Sequence, residues 1–209
     1  SARAIEEANV RNRLIFITAQ KDPAINEPEP DDLCSVGSLC KILQTARLPD
    51  GTIKAVLEGG WRGRVKSFIT DKDFLEADVE KMPSTNASLT DKTEALRRSV
   101  FSEFETYVEL HPKMPDEVSK AIEDISNPDV FADIAASHCY LKLAEKQELL
   151  ETADVVERLR KLLVMLMREN ELLAMEREIH EKVQREIDKG QRQYYLREQL
   201  KVIQEELGD

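Results

Sequence analysis

Between residues 154 and 207 the chain contains no proline and a single glycine, Gly190. About 50 residues without a breaker, with leucine, methionine and isoleucine recurring every three or four positions, predict one helix on the order of 80 Å long. Asp154 and Glu157 make a capping-box pattern at its start. The apolar stripe is dense at Leu159, Leu162, Leu163 and Leu166, then thins to Leu172, Met175, Ile179, Val183 and Ile187, in steps slightly longer than a heptad. Only the first third of the rod is therefore expected to be buried. Beyond Gly190 the spacing resumes at Leu196, Leu200, Ile203 and Leu207, a seam that wants another chain or a domain past Asp209.

The opposite end of the chain has a different period. Up to about Lys81 apolar residues alternate with polar ones, and five strands are expected: 14–19, 36–48, 52–58, around Val65, Ser67 and Ile69, and around Leu75, Ala77 and Val79. Pro49-Asp50-Gly51 joins the second and third as a hairpin, because proline presets φ and glycine tolerates positive φ. Residues 1–10 read as a helix. Connections this short exclude parallel crossovers, which leaves an antiparallel sheet or a partly open barrel with one helix. Because Ser1 falls inside a helical pattern, one or more earlier strands are expected to complete that sheet.

After Met82-Pro83 the period becomes 3.6. Leu96, Val100, Phe104, Tyr107 and His111 share a stripe, Ser88 with Asp91 resembles a capping box, and Pro112 ends the helix. Pro115 and Pro128 are placed as first helical residues, with Asp116, Glu117 and Asp129 making acidic first turns that suit the helix dipole. Another helix spans 141–151. The expected class is therefore α+β, with a β-rich domain over 1–83, a helical bundle over 84–153 and the long helix over 154–209.

Composition and motifs exclude several chemistries. A net charge of -11, spread as -9 over residues 1–153 and -2 over 154–209, disfavours phosphate backbones and makes nucleic acid an unlikely partner. The longest apolar run, 162–167, is far shorter than the ~20 residues of a membrane span, and the start lacks the order of a secretory signal, so a cytoplasmic location is expected. Gly59-Gly60-Trp61-Arg62-Gly63 lacks the lysine of a phosphate loop and reads as a β-turn or bulge. Cys34, Cys40, His138 and Cys139 do not have zinc-knuckle spacing, and the three cysteines are expected as free thiols. No histidine stands beside a nucleophile in a known motif, and abundant carboxylates select no acid–base pair. No catalytic residue, cofactor or metal is therefore assigned. Trp61 is a candidate for gripping unfolded chains, against the plainer reading of core packing, and Arg62, Arg64 and Lys66, on one face of a strand, are candidates for an acidic partner, against the plainer reading of a solvated face. Gly190, where the stripe changes register, is a candidate hinge, against the plainer reading of a tolerated glycine on a solvated face.

Leu33-Cys34-Ser35-Val36-Gly37, Lys41-Ile42-Leu43-Gln44, Leu48-Pro49-Asp50-Gly51-Thr52, Val56-Leu57-Glu58-Gly59 and Arg62-Gly63-Arg64-Val65 resemble the amino-terminal domain of ATP-dependent Lon proteases. So do LAEKQELL at 143–150, DVVERL at 154–159 and GQRQYYLREQLKVIQEELG at 190–208. The resemblance implies the substrate-capturing part of a homohexameric AAA+ machine, whose ATPase, with its ATP and magnesium, and Ser-Lys peptidase dyad would lie beyond Asp209. It also implies a PUA-like fold for the β domain and first strands, with a Pro-Leu-Arg stretch, before Ser1. Tyr194, Tyr195 and Leu200 join Gly190 as linkage candidates. The expected function is recognition of unfolded or damaged proteins plus mechanical linkage to the ATPase. A coiled-coil scaffold, a stand-alone adaptor and a nucleic-acid-binding β domain are the alternatives.

Overall fold

The computed structural model describes residues 2–69, 73–88, 90–111, 114–115 and 117–208. The expected roles of Pro112 and Asp116 lie outside them. The chain forms two compact units, Ser1–Arg97 with Ile125–Leu162, and Arg98–Asp124 with Leu163–Asp209.

The first unit opens with α1 (Ala2–Val10), followed by β1 (Leu14–Gln20), β2 (Leu33–Arg47), β3 (Ile53–Ile69) and β4 (Glu76–Lys81). These form one open antiparallel sheet in the order β1-β2-β3-β4. At the hairpin, Gly51 takes φ 86°, its N–H donates to Leu48 O at 3.0 Å, and Leu48 N–H donates to Thr52 O at 2.8 Å. Proline thus occupies the second turn position and glycine the left-handed one.

Four strands stand among the described residues where five were expected, because the third and fourth are one. Gly59-Gly60-Trp61-Arg62-Gly63 does not turn. Pairing runs from Leu39↔Trp61 directly to Cys40↔Gly59, so Gly60 is the extra residue of a bulge and β3 continues to Ile69. Neither Gly59 nor Gly60 adopts the positive φ that a reversal there would favour.

Two glycines are required by packing. Gly37 and Gly63 are cross-strand partners. A Cβ on Gly37 would lie 2.8 Å from Phe16 Cζ and collide with the Ile17 carbonyl oxygen, and one on Gly63 would lie 3.0 Å from Phe16 Cε2 and strike Val79 Cγ1. The Phe16 ring occupies the space that two side chains would need, so an aromatic on β1 covers bare backbone on β2 and β3.

Helices complete this unit: the start of α2 (Asp91–Leu110), α4 (Pro128–His138), α5 (Leu143–Glu151) and the start of α6 (Val155–Leu207). Pro128 is the first residue of α4, as expected, and Asn127 Oδ1 accepts from Asp129 N–H at 2.9 Å. The cap of α2 is Thr90 rather than Ser88: Thr90 Oγ1 accepts from Thr93 N–H at 3.2 Å and meets Thr93 Oγ1 at 2.8 Å. The helix begins at Asp91, so Thr90 is the residue from which a side chain reaches back to that amide. Asp154 caps α6 as expected, accepting from Glu157 N–H at 3.0 Å.

The second unit comprises the rest of α2, α3 (Glu117–Glu123) and the rest of α6. Pro115 precedes α3 and is not its first residue. Val100, Phe104, Tyr107, Ile122 and Leu166 are buried, and the rings of Phe104, Tyr107 and His111 meet in sequence at a tilt, with centroids 6.2 and 5.6 Å apart. Asn170 Nδ2 donates to the backbone oxygen and a carboxylate oxygen of Glu103 at 2.9 and 2.8 Å, tying α6 to α2. Past residue 173 every described residue of α6 is exposed. Pairs such as Lys182–Glu178 at 2.6 Å and Lys189–Glu186 at 2.7 Å give that stretch local support. No helix among the described residues is long and apolar enough to cross a membrane.

Gly37→Ala is expected to destabilise the chain by about 2 kcal/mol or more, since backbone on one side of the new methyl cannot yield. A urea melt measures this, and a midpoint within error of the parent would refute the packing account.

Candidate functional site

The strongest polar constellation is a cluster of two arginines and two aspartates in the first unit. Arg158, on the first turn of α6, has a side chain only 1% exposed. Its position follows from the helix period, which places residue 158 beside Val155, Leu159 and Leu162 on the buried stripe. A guanidinium there requires carboxylates, and α4 supplies them: Arg158 Nη1 lies 2.5 Å from Asp129 Oδ1 and 3.1 Å from Asp133 Oδ1, which are one helical turn apart. Nε donates to Thr152 O at 2.9 Å.

Arg62 of β3 joins the same carboxylates. It pairs with Asp133, lies 3.5 Å from Asp129, and donates through Nε to Leu150 O at 3.1 Å. Ser84 Oγ stands 3.5 Å from both guanidinium groups. Burial pushes the Asp129 carboxyl up, but hydrogen bonds from Arg158 and Ser84 and the charges of Arg158 and Arg62 outweigh it and hold the group below the usual carboxylate range. The cluster is charge-balanced and its guanidinium donors are occupied, which suits a fastener rather than a reaction centre.

The candidate residues are not gathered in one place. Arg62 is 10% exposed and committed to the cluster. Arg64 is exposed, with Nη2 3.9 Å from Met82 Sδ. Trp61 lies opposite Leu39 within β3, half-buried, with Cζ3 3.1 Å from the position of a Cβ on Gly63. Gly190 sits inside uninterrupted α6, where a Cβ would meet nothing within 4 Å. Tyr194, Tyr195 and Leu200 are exposed, and Gln199 Nε2 donates to Tyr195 Oη at 3.0 Å.

What sequence reading missed lies beside them. Arg158 is a lone cation on an apolar stripe, a signal that was available. Apolar residues outside any core were not: Leu43, Val56 and Leu57 on the hairpin are 49%, 55% and 36% exposed, and Leu14, on the strand paired with β2, is 41% exposed. Cys34, Cys40 and Cys139 are joined in no disulfide, Cys139 Sγ donates to Ala135 O at 3.2 Å, and burial raises the Cys40 thiol. No group of three or more His, Cys, Asp or Glu among the described residues could hold a metal. A polar cavity of about 510 Å³ opens between the starts of α2 and α6, where Lys92 and Arg160 are balanced by Asp154 and Glu157.

A family model described as the ATP-dependent protease La (LON) substrate-binding domain matches residues 1–168. The Lon proteases of Azospirillum brasilense and Escherichia coli are 41% and 40% identical over all 209 residues, and Lon protease 1 of Bacillus subtilis is 39% identical. The chain spans 26–27% of the length of these relatives. Among solved structures, the N-terminal domain of Mycobacterium avium complex Lon protease aligns over 79% of this chain and 84% of its own, with a TM-score of 0.62 and 28% identity. A Lon N-terminal domain protein from Xanthomonas campestris shares the fold at a TM-score of 0.54 and 14% identity, over 78% and 82% of the two chains.

Removing one member of the cluster leaves a buried charge uncompensated. Arg158→Ala is expected to cost about 3–5 kcal/mol in a chemical melt, more than Arg158→Met, which restores apolar volume. Because the Asp129 pKa is depressed on folding, its contribution is present above the unfolded carboxylate value of about 3.9 and is lost as pH falls through and below it. Asp129→Asn should flatten that acid limb of the stability curve, and an unchanged limb would argue against the assignment.

Proposed function

The chain belongs to the Lon protease substrate-binding family, and from that premise we propose that it captures unfolded or damaged polypeptides and delivers them to an ATPase that follows in the whole protein. The observation that carries this reading is the exposure of apolar side chains on the β2–β3 hairpin, Leu43, Val56 and Leu57, and of Leu14 on the strand paired with β2. Native proteins bury such side chains, so the complementary partner is a chain that has lost its fold. One copy offers a small patch and binds weakly, and a homohexameric ring supplies the avidity. In the whole protein ATP and magnesium drive unfolding, a serine peptidase cleaves, and the assembly works in the bacterial cytoplasm. Residues 1–83 serve as the grip, 84–153 as the bundle, and 154–209 as a spacer. The rod-like α6, exposed over most of its length, supports that last assignment.

A coiled-coil scaffold is the second reading, favoured by one observation: Leu172, Met175, Ile179, Val183, Ile187, Leu196, Leu200, Ile203 and Leu207 are all exposed. Sedimentation separates the two, since the scaffold predicts a stable dimer of this chain.

The capture reading predicts micromolar or poorer binding to a permanently unfolded form of a test protein and none to its native form. Val56→Lys should weaken the former severalfold. Equal affinity for both forms would reject it. Gly190→Ala, which meets no atom, should raise helicity and stabilise by about 1 kcal/mol. If Gly190 is a hinge, the same change in the whole enzyme slows degradation of folded proteins more than of short peptides, and wild-type rates on both would dismiss that role.

A further inference from the structure

Arg62 stands at a junction within the first unit. Its backbone lies opposite Ser38 of β2, and its carbonyl oxygen accepts from Met82 N–H at 2.8 Å on the β4 side, so both neighbours hold it in the sheet. Its side chain leaves the sheet. The guanidinium pairs with Asp133 and lies 3.5 Å from Asp129, both on α4, while Nε donates to Leu150 O on α5 at 3.1 Å. Arg158 of α6 takes the same two carboxylates, at 2.5 and 3.1 Å. Charge-assisted bonds therefore run without a gap from β3 through α4 to the first turn of α6. Other ties between these parts are of a different kind. Gln147 Nε2 of α5 donates to Val36 O of β2 at 3.0 Å, one neutral bond beside a buried valine. Thr85 bridges Asp154, but it belongs to the segment after β4 and not to a strand of the sheet. Apolar contact is non-directional and yields to sliding, whereas charge-assisted bonds fix distance and angle.

We propose that Arg62 is a shear pin, a positioning residue that locks the sheet to α4 and the root of α6, so that a pull on the β domain arrives at α6 instead of sliding the sheet across the helices. Its use in the whole protein rests on the capture reading and deepens it, since a captured polypeptide drawn into an ATPase loads the domain that holds it. The geometry also says where the joint fails. Without Arg62 both carboxylates keep Arg158, so α4 and α6 stay together and the sheet alone is released. That separates a pin from a plain stabiliser. A stabiliser sets the load at which the unit opens, whereas a pin decides whether it opens as one body or as two. Coupling of this kind is established by perturbing it, not by tracing contacts.

Single-molecule pulling on the 209-residue chain tests this, with one handle at the β2–β3 turn and the other at the carboxyl end. In the parent, the sheet, α4 and the start of α6 should open in one step. Arg62→Met keeps an apolar stem, and Asp133→Asn is a milder change that serves if the first variant does not fold. Each should split the opening in two, with the sheet detaching about tenfold faster or more under the same load. Gly37→Ala weakens the sheet without touching the cluster and should still open in one step. Two steps in the parent, or parental behaviour in the cluster variants, would overturn the pin. So would a single faster step shared by the cluster variants and Gly37→Ala, which is what a plain stabiliser gives. In the whole protein, Asp133→Asn should bind a permanently unfolded protein as the parent does, yet degrade a stably folded one severalfold more slowly than an unfolded one. Equal slowing of both would overturn the coupling role. Failure of the parent to bind unfolded protein would reject the capture reading alone, because the pulling result does not depend on it.

Discussion

A guanidinium that is 1% exposed has to be answered by carboxylates, and the arrangement of the first unit follows from how Arg158 is answered. Asp129 and Asp133 come from α4, Arg62 from the sheet, Ser84 from the segment after β4, and carbonyls from Leu150 and Thr152 at the end of α5. Parts of the chain nearly a hundred residues apart are thereby held at one point. Thr85 adds a parallel bridge to Asp154, with Val155 N–H donating to Thr85 O at 3.0 Å, so the segment leaving the sheet is pinned to the start of α6. Apolar burial alone would allow α4 to slide over β3. Paired charges with fixed hydrogen-bond geometry define its register.

Local signals were legible because their causes are local. Pro49-Asp50-Gly51, Asn127-Pro128 and Asp154 each act within three or four residues, and the hairpin and both helix starts stand where those residues place them. The long helix was equally plain, since nothing in residues 154–207 could break it. Gly59-Gly60-Trp61-Arg62-Gly63 left a turn and a bulge open because glycine is compatible with both, and the choice is made by pairing with Leu39 and Cys40, some twenty residues earlier.

Arg62 is the instructive case at the candidate site. By alternation it is a surface cation like Arg64, but its environment is set by α4 and α5, which arrive seventy or more residues later. Trp61 likewise owes its half-buried place to Gly63 and to the bulge before it. The point at which β4 begins to pair with β3 was invisible for a related reason, since a strand's composition reports which faces are apolar and not where its neighbour starts.

The continuity of α6 has one more consequence. An unbroken helix carries phase as well as distance: each residue advances the axis by about 1.5 Å and turns it by about 100°. Inserting or deleting a single residue in the exposed stretch of α6 would shift everything after it only slightly along the axis, but would aim Leu196, Leu200, Ile203 and Leu207 in a new direction. Changes of seven or eleven residues nearly restore the original heading. Among descendants of such a chain, the length of this stretch should therefore drift in those steps and resist single ones.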